Sequence, residues 1–327
     1  MARGPGIEPW RSRLLIMFSG EPDGLASWVR AIDDGDDAGY FGAGSAAWHV
    51  HGSMATLVAG IRALLMQTLH PGAMAGVHDW SRYRDDPLGR LSGTIRWILC
   101  VTFGSTEQAQ RESARVGRFH DRVQGDYAAA GGEAVRYSAH DADLLDWVHL
   151  AFTDAFLGSA EVWAKRIPGG SDRYVAEWAT AGELVGVVDP PRSERELRER
   201  LAALREAGVL RRDERVDEIV RFLRHPPLDR AMRFPYAVLF GGAVASLPKE
   251  FRQLLGLRRP WWPAITATRI ALRVVERVLG QKSTSEAAAQ RRLARLRADG
   301  RPTEPVAWTG LPDGHTESGA GHPRAGG

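Results

Sequence analysis

Residues 86–120 read DPLGRLSGTIRWILCVTFGSTEQAQRESARVGRFH, and this stretch decides the fold class. Apolar side chains recur there at steps of three and four residues, which predicts a helix over residues 88–103 that ends at Gly104. Ser105 is a residue type that caps helix N-termini, so we expect a second helix from there to about Val123. Two consecutive helices of this kind, joined by a tight turn, are typical of a helical protein.

The same spacing continues on both sides of this stretch. It predicts one helix over residues 45–69 that is stopped by Pro71 and Gly72, and another that begins after Asp141 or Asp143. The sequence shows no strand alternation of useful length and no internal repeat. The expected fold is therefore all-α, a compact single-domain multi-helix bundle. Its further helices are expected over residues 171–184, 193–206, 213–223, 228–247 and 265–279.

Changes in composition divide the chain into three parts. Residues 1–44 are expected to form an irregular lead-in with one short helix over residues 25–32, because Gly and Asp are frequent there. Residues 45–299 carry the helical periodicity and are expected to form the domain. Residues 300–327 contain mostly Gly, Pro and isolated charges, which is typical of a disordered tail.

The overall composition excludes several classes of protein. The 43 basic and 40 acidic residues nearly balance, which argues against a nucleic-acid partner. Cys100 is the only cysteine, so no internal disulfide or cysteine-cluster metal site can form, and we expect it to be a small core residue. No window offers the roughly 18–20 apolar residues of a transmembrane span, and the apolar run at residues 14–18 is too short for a signal peptide. We expect a soluble, cytoplasmic protein, and the sequence indicates no oligomeric state.

Common cofactor and metal motifs are incomplete in this sequence. The spacing Gly42-x-Gly44-x-x-Ala47 imitates a dinucleotide fingerprint but lacks the preceding strand and the acidic residue that binds the ribose. We interpret it as a flexible entry into a helix. Neither Glu-x-x-His nor His-Glu-x-x-His occurs. His49 and His51 would point to different faces of a helix and are interpreted as ordinary polar or semi-buried positions.

Arg90 and Thr94 form the first pair that could carry chemistry. Their four-residue spacing places both side chains on one stripe of the helix. A guanidinium in this position can bind a carboxylate in bidentate fashion, and the hydroxyl can line the same site. The alternative is a structural ion pair from Arg90 to Asp85 or Asp86.

His120 lies on the next helix with Val116 and Gly117, on a stripe expected to face the apolar interior. A neutral imidazole there could ligate a metal, and Gly117 would leave room for a planar cofactor. The alternative is a core histidine whose ring is satisfied by a backbone carbonyl. His149 is a rival on the buried face of the fourth helix and could pack beside the cofactor. His70, next to the predicted turn, is expected to cap the backbone locally.

Several local strings, taken in order, are similar to one known family. Together they resemble the MpaB and rubber-oxygenase (latex-clearing protein) family, and the dense part of the resemblance covers residues 46–157. The strings are Ile61-Arg-Ala-Leu-Leu-Met-Gln-Thr-Leu-His70-Pro71, Tyr83-x-x-Asp86-Pro-x-x-Arg90-Leu91-x-x-Thr94, Val101-Thr-Phe-Gly104, His120-x-x-Val123-x-Gly125 and Leu144-Leu-x-Trp147-Val-His149, with a weaker echo at Pro235-Tyr236 and Leu247-Pro248.

The resemblance implies an all-helical fold that holds haem b and an oxygenase that splits carbon–carbon double bonds in isoprenoid chains. By its motifs, His120 would be the axial ligand of the haem iron, Arg90 would bind a propionate or line the pocket, and Thr94 would line the oxygen side. The implied partners are a hydrophobic small molecule and O2. No counterpart is found for the distal lysine or the acidic base of rubber-cleaving members, because Ser92 and Gly93 stand before Thr94, so polyisoprene is not the expected substrate.

Other functions stay open at this point. One is a haem monooxygenase or peroxidase that acts on a secondary metabolite. Another is a non-catalytic helical protein that binds lipids or isoprenoids without haem. A helical DNA-binding regulator is the least favoured, because the helices expected over residues 193–223 carry nearly as many acidic as basic residues.

Overall fold

A computed structural model of the protein describes residue 21 and residues 26–80, 87–129, 131–228, 230–261, 263–280 and 283–310; at residues 87–92 and 279 it describes the backbone alone. Within these ranges the chain forms fourteen helices and one short hairpin. The expectation of an all-α fold is therefore confirmed.

Six helices form the first half of the described chain. Ser105 caps the sixth as expected, because its hydroxyl accepts a hydrogen bond from the backbone N–H of Gln108. The predicted pair of helices is confirmed, although the second ends at His120 instead of Val123. The six helices are α1 (Ser27–Asp34), α2 (Ala46–Gly52), α3 (Thr56–Gln67), α4 (Pro71–Trp80), α5 (Pro87–Phe103) and α6 (Thr106–His120).

Eight helices follow in the second half. Two of them, α12 and α14, lie outside the expected segments. Only two of the six buried residues of α14 are large and apolar, Leu293 and Leu296, whereas the others are two alanines, Ser285 and Arg292, which explains why its apolar periodicity is weak. The eight helices are α7 (Ala142–Trp163), α8 (Gly170–Glu183), α9 (Glu194–Glu206), α10 (Glu214–Arg224), α11 (Arg230–Ser246), α12 (Lys249–Leu254), α13 (Pro263–Leu279) and α14 (Thr284–Ala298).

A β-hairpin between α6 and α7 corrects the expectation that the chain contains no strand. Strands β1 (Gln124–Ala128) and β2 (Ala134–Ser138) pair antiparallel, with Gln124 opposite Ser138. Each strand has five residues, and Tyr137 is the only one of the ten that is fully buried. The apolar alternation that predicts a strand therefore extends over too few residues to be recognised.

The single helix expected over residues 45–69 is wrong, because the chain forms two helices there. The first ends at Gly52, after which Ser53 takes an extended backbone conformation with φ −80° and ψ 154°. The Ser53 hydroxyl donates a hydrogen bond to the carbonyl of Val50 at 2.9 Å. A side chain that satisfies a carbonyl at the helix end competes with continuation of the helix.

The preceding helix α3 ends before Pro71, as expected, and Pro71 also begins the next helix, α4, which was not expected. Proline is tolerated in the first turn of a helix, where its missing N–H would have no partner. His70 stands directly before it, and its Nδ1 accepts a hydrogen bond from the N–H of Gly72 at 3.2 Å. The expected capping role of His70 is confirmed.

The core is organised around α3 and α7, which pack along each other. Arg62 of α3 is buried and forms an ion pair with Asp154 of α7. It also donates a hydrogen bond to the carbonyl of Ser246 on α11 at 2.9 Å. Gly158 permits this arrangement, because a Cβ there would collide with the Arg62 guanidinium. The C-terminal half of α7 is thus held in place, and its N-terminal half faces α4 and α8.

Residues 300–310 lie against the lead-in without regular secondary structure. The N–H of Val306 donates to the carbonyl of Gly39 at 2.9 Å, and Trp308 packs edge-on against Tyr40 with ring centroids 5.6 Å apart. Residues 311–327 lie outside the described residues, so the limits of the helical domain stay a prediction.

The composition led to expectations about Cys100 and about membrane-spanning helices. Cys100 is fully buried, and burial raises the pKa of its thiol, as expected for a small core residue. In the described part of the chain, no helix is both long and apolar enough to cross a membrane.

Candidate functional site

A cavity of about 610 Å³ lies between α4, α5, α6, α7 and α8 and is closed on one side by the hairpin. Its volume is within the roughly 300–1,000 Å³ that small-molecule and cofactor sites usually occupy. Most of its wall is apolar, so the cavity suits an apolar ligand. Six aromatic side chains contribute to the wall, namely Trp80, Trp97, Phe119, Tyr137, Phe152 and Trp178.

This cavity is lined by three of the candidate residues that were predicted from the sequence. They are Thr94 of α5, His120 at the end of α6 and His149 of α7. Helix α5 packs on α6, and α7 follows the hairpin, so these three side chains lie at one site. Gly117 is not among the lining residues, and a Cβ added there would meet no atom within 4 Å.

Arg90 belongs to α5, but its side chain lies outside the described residues. The same holds for Asp85 and Asp86, the carboxylates of the alternative ion pair. The proposed contact of Arg90 with a cofactor and the alternative both stay predictions.

His120 presents a partly buried imidazole to the cavity. Burial lowers the pKa of His120 to about 4; His140 lowers it further, and Asp121 opposes the change. The ring is therefore neutral near pH 7, which leaves a lone pair on one nitrogen. Among the described residues no hydrogen bond engages this ring, whereas Nε2 of the adjacent His140 lies 2.8 Å from Asp121 Oδ1.

His149 is buried and also lines the cavity. Burial lowers its pKa to about 4, and the nearby Arg200 contributes in the same direction. Its Nε2 lies 3.5 Å from the hydroxyl of Thr153, and that hydroxyl donates its proton to the carbonyl of His149 at 2.7 Å. Two neutral imidazoles therefore face the cavity.

A buried carboxylate organises the polar edge of the cavity. Glu112 of α6 accepts hydrogen bonds from Arg96 Nε at 2.9 Å and from Arg115 Nε at 2.7 Å. Burial raises the pKa of Glu112, but the hydrogen bonds from the two arginines outweigh it and hold the pKa below its ordinary value. Arg115 lines the cavity, so the cluster fixes one guanidinium at its edge.

Behind Trp178 lies a second fully buried histidine. The ring centroid of His51 is 4.1 Å from that of Trp178, and its Nε2 is 3.3 Å from the hydroxyl of Tyr174. Its Nδ1 has no hydrogen-bond partner in the described structure. Burial lowers the pKa of His51 to about 3. His51 does not line the cavity itself.

Comparison with known proteins identifies the catalytic class of this domain. Residues 48–281 match the family described as ER-bound oxygenase mpaB/B′/Rubber oxygenase, catalytic domain. The chain belongs to this family. No curated protein and no solved structure matches it. The resemblance found in the sequence is thus confirmed, and every cavity-lining residue, from Gln67 to Val185, lies within the matched segment of the MpaB and rubber-oxygenase domain.

One feature of the cavity lining of this MpaB and rubber-oxygenase domain fits a haem. Among the described residues, no group of three or more His, Cys, Asp and Glu side chains could hold a metal. A haem iron needs no such group, because the porphyrin supplies most of its ligands and the protein adds one or two axial ones. His120 can supply one such axial ligand, because its imidazole is neutral, lines the cavity and makes no hydrogen bond among the described residues.

The Glu112 cluster of this oxygenase-family domain was not predicted from the sequence. The three-residue spacing from Glu112 to Arg115 was a usable signal, because such pairs are neighbours on a helix surface. The contact with Arg96, sixteen residues away, depends on how α5 packs against α6. No local pattern indicates that contact.

Proposed function

We propose that this protein is a haem b-dependent oxygenase that uses O2 on an alkene of a hydrophobic, isoprenoid-like small molecule. The observation that carries the proposal is the imidazole of His120, which is neutral and faces a large apolar cavity without a hydrogen bond among the described residues. Family membership supports the oxygenase class. The apolar wall supports a hydrophobic substrate.

His120 would bind the iron through one ring nitrogen. Its lowered pKa keeps the lone pair free from protonation over the physiological pH range, which a ligating histidine requires. We assign Arg90 to a haem propionate, because a guanidinium binds a carboxylate in bidentate fashion. His149, which lines the cavity, would lie beside the cofactor. When bound, haem supplies the redox chemistry with O2, whereas the protein supplies binding, orientation and electrostatics.

The remaining cavity residues would orient the reactants and exclude water. Thr94 contributes a hydroxyl to a mostly apolar wall and would hold O2 or a water molecule through a hydrogen bond. Trp97 keeps its indole N–H away from the cavity, because that N–H donates to Ser113 Oγ at 3.1 Å. Its apolar ring therefore remains available for contact with an isoprenoid chain.

The absorption spectrum of the purified protein, with and without dithionite, tests the cofactor. We expect a Soret band that responds to reduction, is lost in His120→Ala and is retained in His225→Ala. His225 is exposed at the C-terminal end of α10 and is the matched control. Full haem content in His120→Ala would refute the ligand assignment, and His149→Ala then tests the rival ligand.

The outcome of oxygenation is tested with isotopically labelled O2 and squalene as a probe alkene. Labelled oxygen in two carbonyl products indicates cleavage of the double bond. A single labelled hydroxyl or epoxide indicates monooxygenation instead. A colourless, iron-free wild-type protein that binds squalene would replace the proposal with a non-catalytic binding function.

A further inference from the structure

A cluster of large apolar side chains is exposed around α11 and α13. Phe234 is 78% exposed, Trp261 77%, Ile270 57% and Val274 50%. None of these residues lines the cavity. Single exposed apolar residues are common on soluble proteins, whereas a contiguous group of them indicates a contact surface.

Helix geometry places two of these side chains on one outward stripe of α13. Thr268 and Leu272 are buried, and the Thr268 hydroxyl donates to the carbonyl of Val238 on α11 at 3.0 Å. This side of α13 therefore faces the protein. At about 100° per residue, Ile270 and Val274 point to the opposite side.

The neighbouring helix α11 carries a third exposed apolar side chain. Helices α11 and α13 pack against each other, and Thr268 of α13 lies against both Val238 and Gly242 of α11. Phe234 stands about one turn before Val238 on α11. The exposed side chains of Phe234, Ile270 and Val274 are called the α11–α13 patch.

A basic stripe runs beside the patch. Arg269, Arg273 and Arg277 follow each other at four-residue steps on α13 and are all exposed, and Glu276 is the only acidic residue of that helix. Residues 230–280 carry nine basic and two acidic side chains, whereas the rest of the chain carries 34 basic and 38 acidic ones. The apolar patch thus lies in a strongly basic region of a chain that is otherwise slightly acidic.

We propose that the α11–α13 patch docks the protein onto an anionic phospholipid surface. Apolar side chains that enter the headgroup region beside a row of arginines are the arrangement found in helices that lie in a membrane interface. Each basic side chain close to such a surface strengthens binding. The continuous row of arginines favours an anionic surface over a second copy of this chain, whose equivalent patch would carry the same charge.

The test is flotation of the full-length protein with phosphatidylcholine vesicles, prepared with and without phosphatidylserine. We expect binding only to the phosphatidylserine vesicles, and weaker binding at high salt. Ile270→Asn combined with Val274→Asn should reduce the partition coefficient roughly tenfold or more. Arg269→Gln, Arg273→Gln and Arg277→Gln together should reduce it by a similar or larger factor.

A matched control removes three arginines from α9, where Arg195, Arg198 and Arg205 are changed to Gln. These side chains lie outside the patch and form ion pairs on the surface of that helix. The control should bind vesicles like the wild type. Equal loss of binding in the control, or equal binding to both kinds of vesicle, would overturn the proposal. So would a dimer in sedimentation experiments that Ile270→Asn dissociates, because the patch would then join two copies of the chain.

Discussion

Gly182 of α8 lies directly against the imidazole of His149 on α7. A Cβ at position 182 would come within 2.8 Å of His149 Cε1 and 2.9 Å of its Nδ1. The glycine therefore determines how closely the ring can approach α8, and the same ring forms part of the cavity wall. Protein interiors are too densely packed for a methyl group to be added here without movement of the ring.

Gly182→Ala is expected to lower the free energy of unfolding by about 1–3 kcal/mol, because the added methyl group overpacks the contact with His149. Urea denaturation measures this change. In a His149→Ala background the same substitution should cost much less, since the clashing ring is gone.

The control is Gly60→Ala in the middle of α3, where the new Cβ meets no atom within 4 Å. It should raise the free energy of unfolding by about 0.4–1 kcal/mol, because alanine restricts the unfolded chain without strain in the helix. Equal destabilisation at both positions would contradict the close approach at Gly182.

Thr94→Val removes a hydroxyl from the cavity wall while keeping the shape of the side chain. On the proposed function, it should lower O2 consumption with squalene on the order of 10²-fold, because a hydrogen-bond donor aimed at a reacting oxygen contributes about that much. Haem content should stay unchanged. Thr94→Ser, which keeps the hydroxyl, should retain most of the activity; an active Thr94→Val variant would show that the hydroxyl does not act in the reaction.

Glu112→Gln is expected to destabilise the protein at pH 7 by about 1–3 kcal/mol, because the hydrogen bonds from Arg96 and Arg115 lose their charged acceptor. The pKa of Glu112 in the folded protein lies below its ordinary value of 4.5, so its contribution is present above that pH and is lost as pH falls through the folded pKa. The difference between wild type and variant in urea denaturation should therefore shrink in acid. A difference independent of pH would show that the carboxylate charge is not involved.

A second dependence of stability on pH is expected from His51. It comes from a base that is neutral in the folded protein, whereas the effect of Glu112 comes from an acid that is charged there. The pKa of His51 is about 3 in the folded protein against an ordinary value of 6.5, so between these values the unfolded chain binds a proton that the folded chain does not. Stability should consequently decrease as pH falls from 6.5 towards 3, with a slope of up to about 1.4 kcal/mol per pH unit from this residue.

Urea denaturation of His51→Gln across this range should show a smaller slope than the wild type. Tyr174→Phe is the matched control, because it removes the hydroxyl 3.3 Å from His51 Nε2 but leaves the titrating ring in place. It should keep the wild-type slope. An unchanged slope in His51→Gln would refute the assignment.

The helical class and most of the helices could be predicted from local sequence patterns. The pair α5 and α6 could be predicted because apolar spacing, the terminal Gly104 and the Ser105 cap act between residues three or four positions apart. The same local signals, together with the ordered strings of the family, indicated Thr94 and His120. Predictions failed where local preference was weak, as at the short hairpin and at the helix break after Gly52.

Which side chains share a site depends on how the helices pack. It brings His149 to the same cavity as Thr94 and His120, and it pairs Arg96 with Glu112 across two helices. The physical reason is the range of the interactions: secondary structure depends on neighbours along the chain, whereas burial, cavity shape and the pKa of a histidine depend on the packing of all surrounding helices.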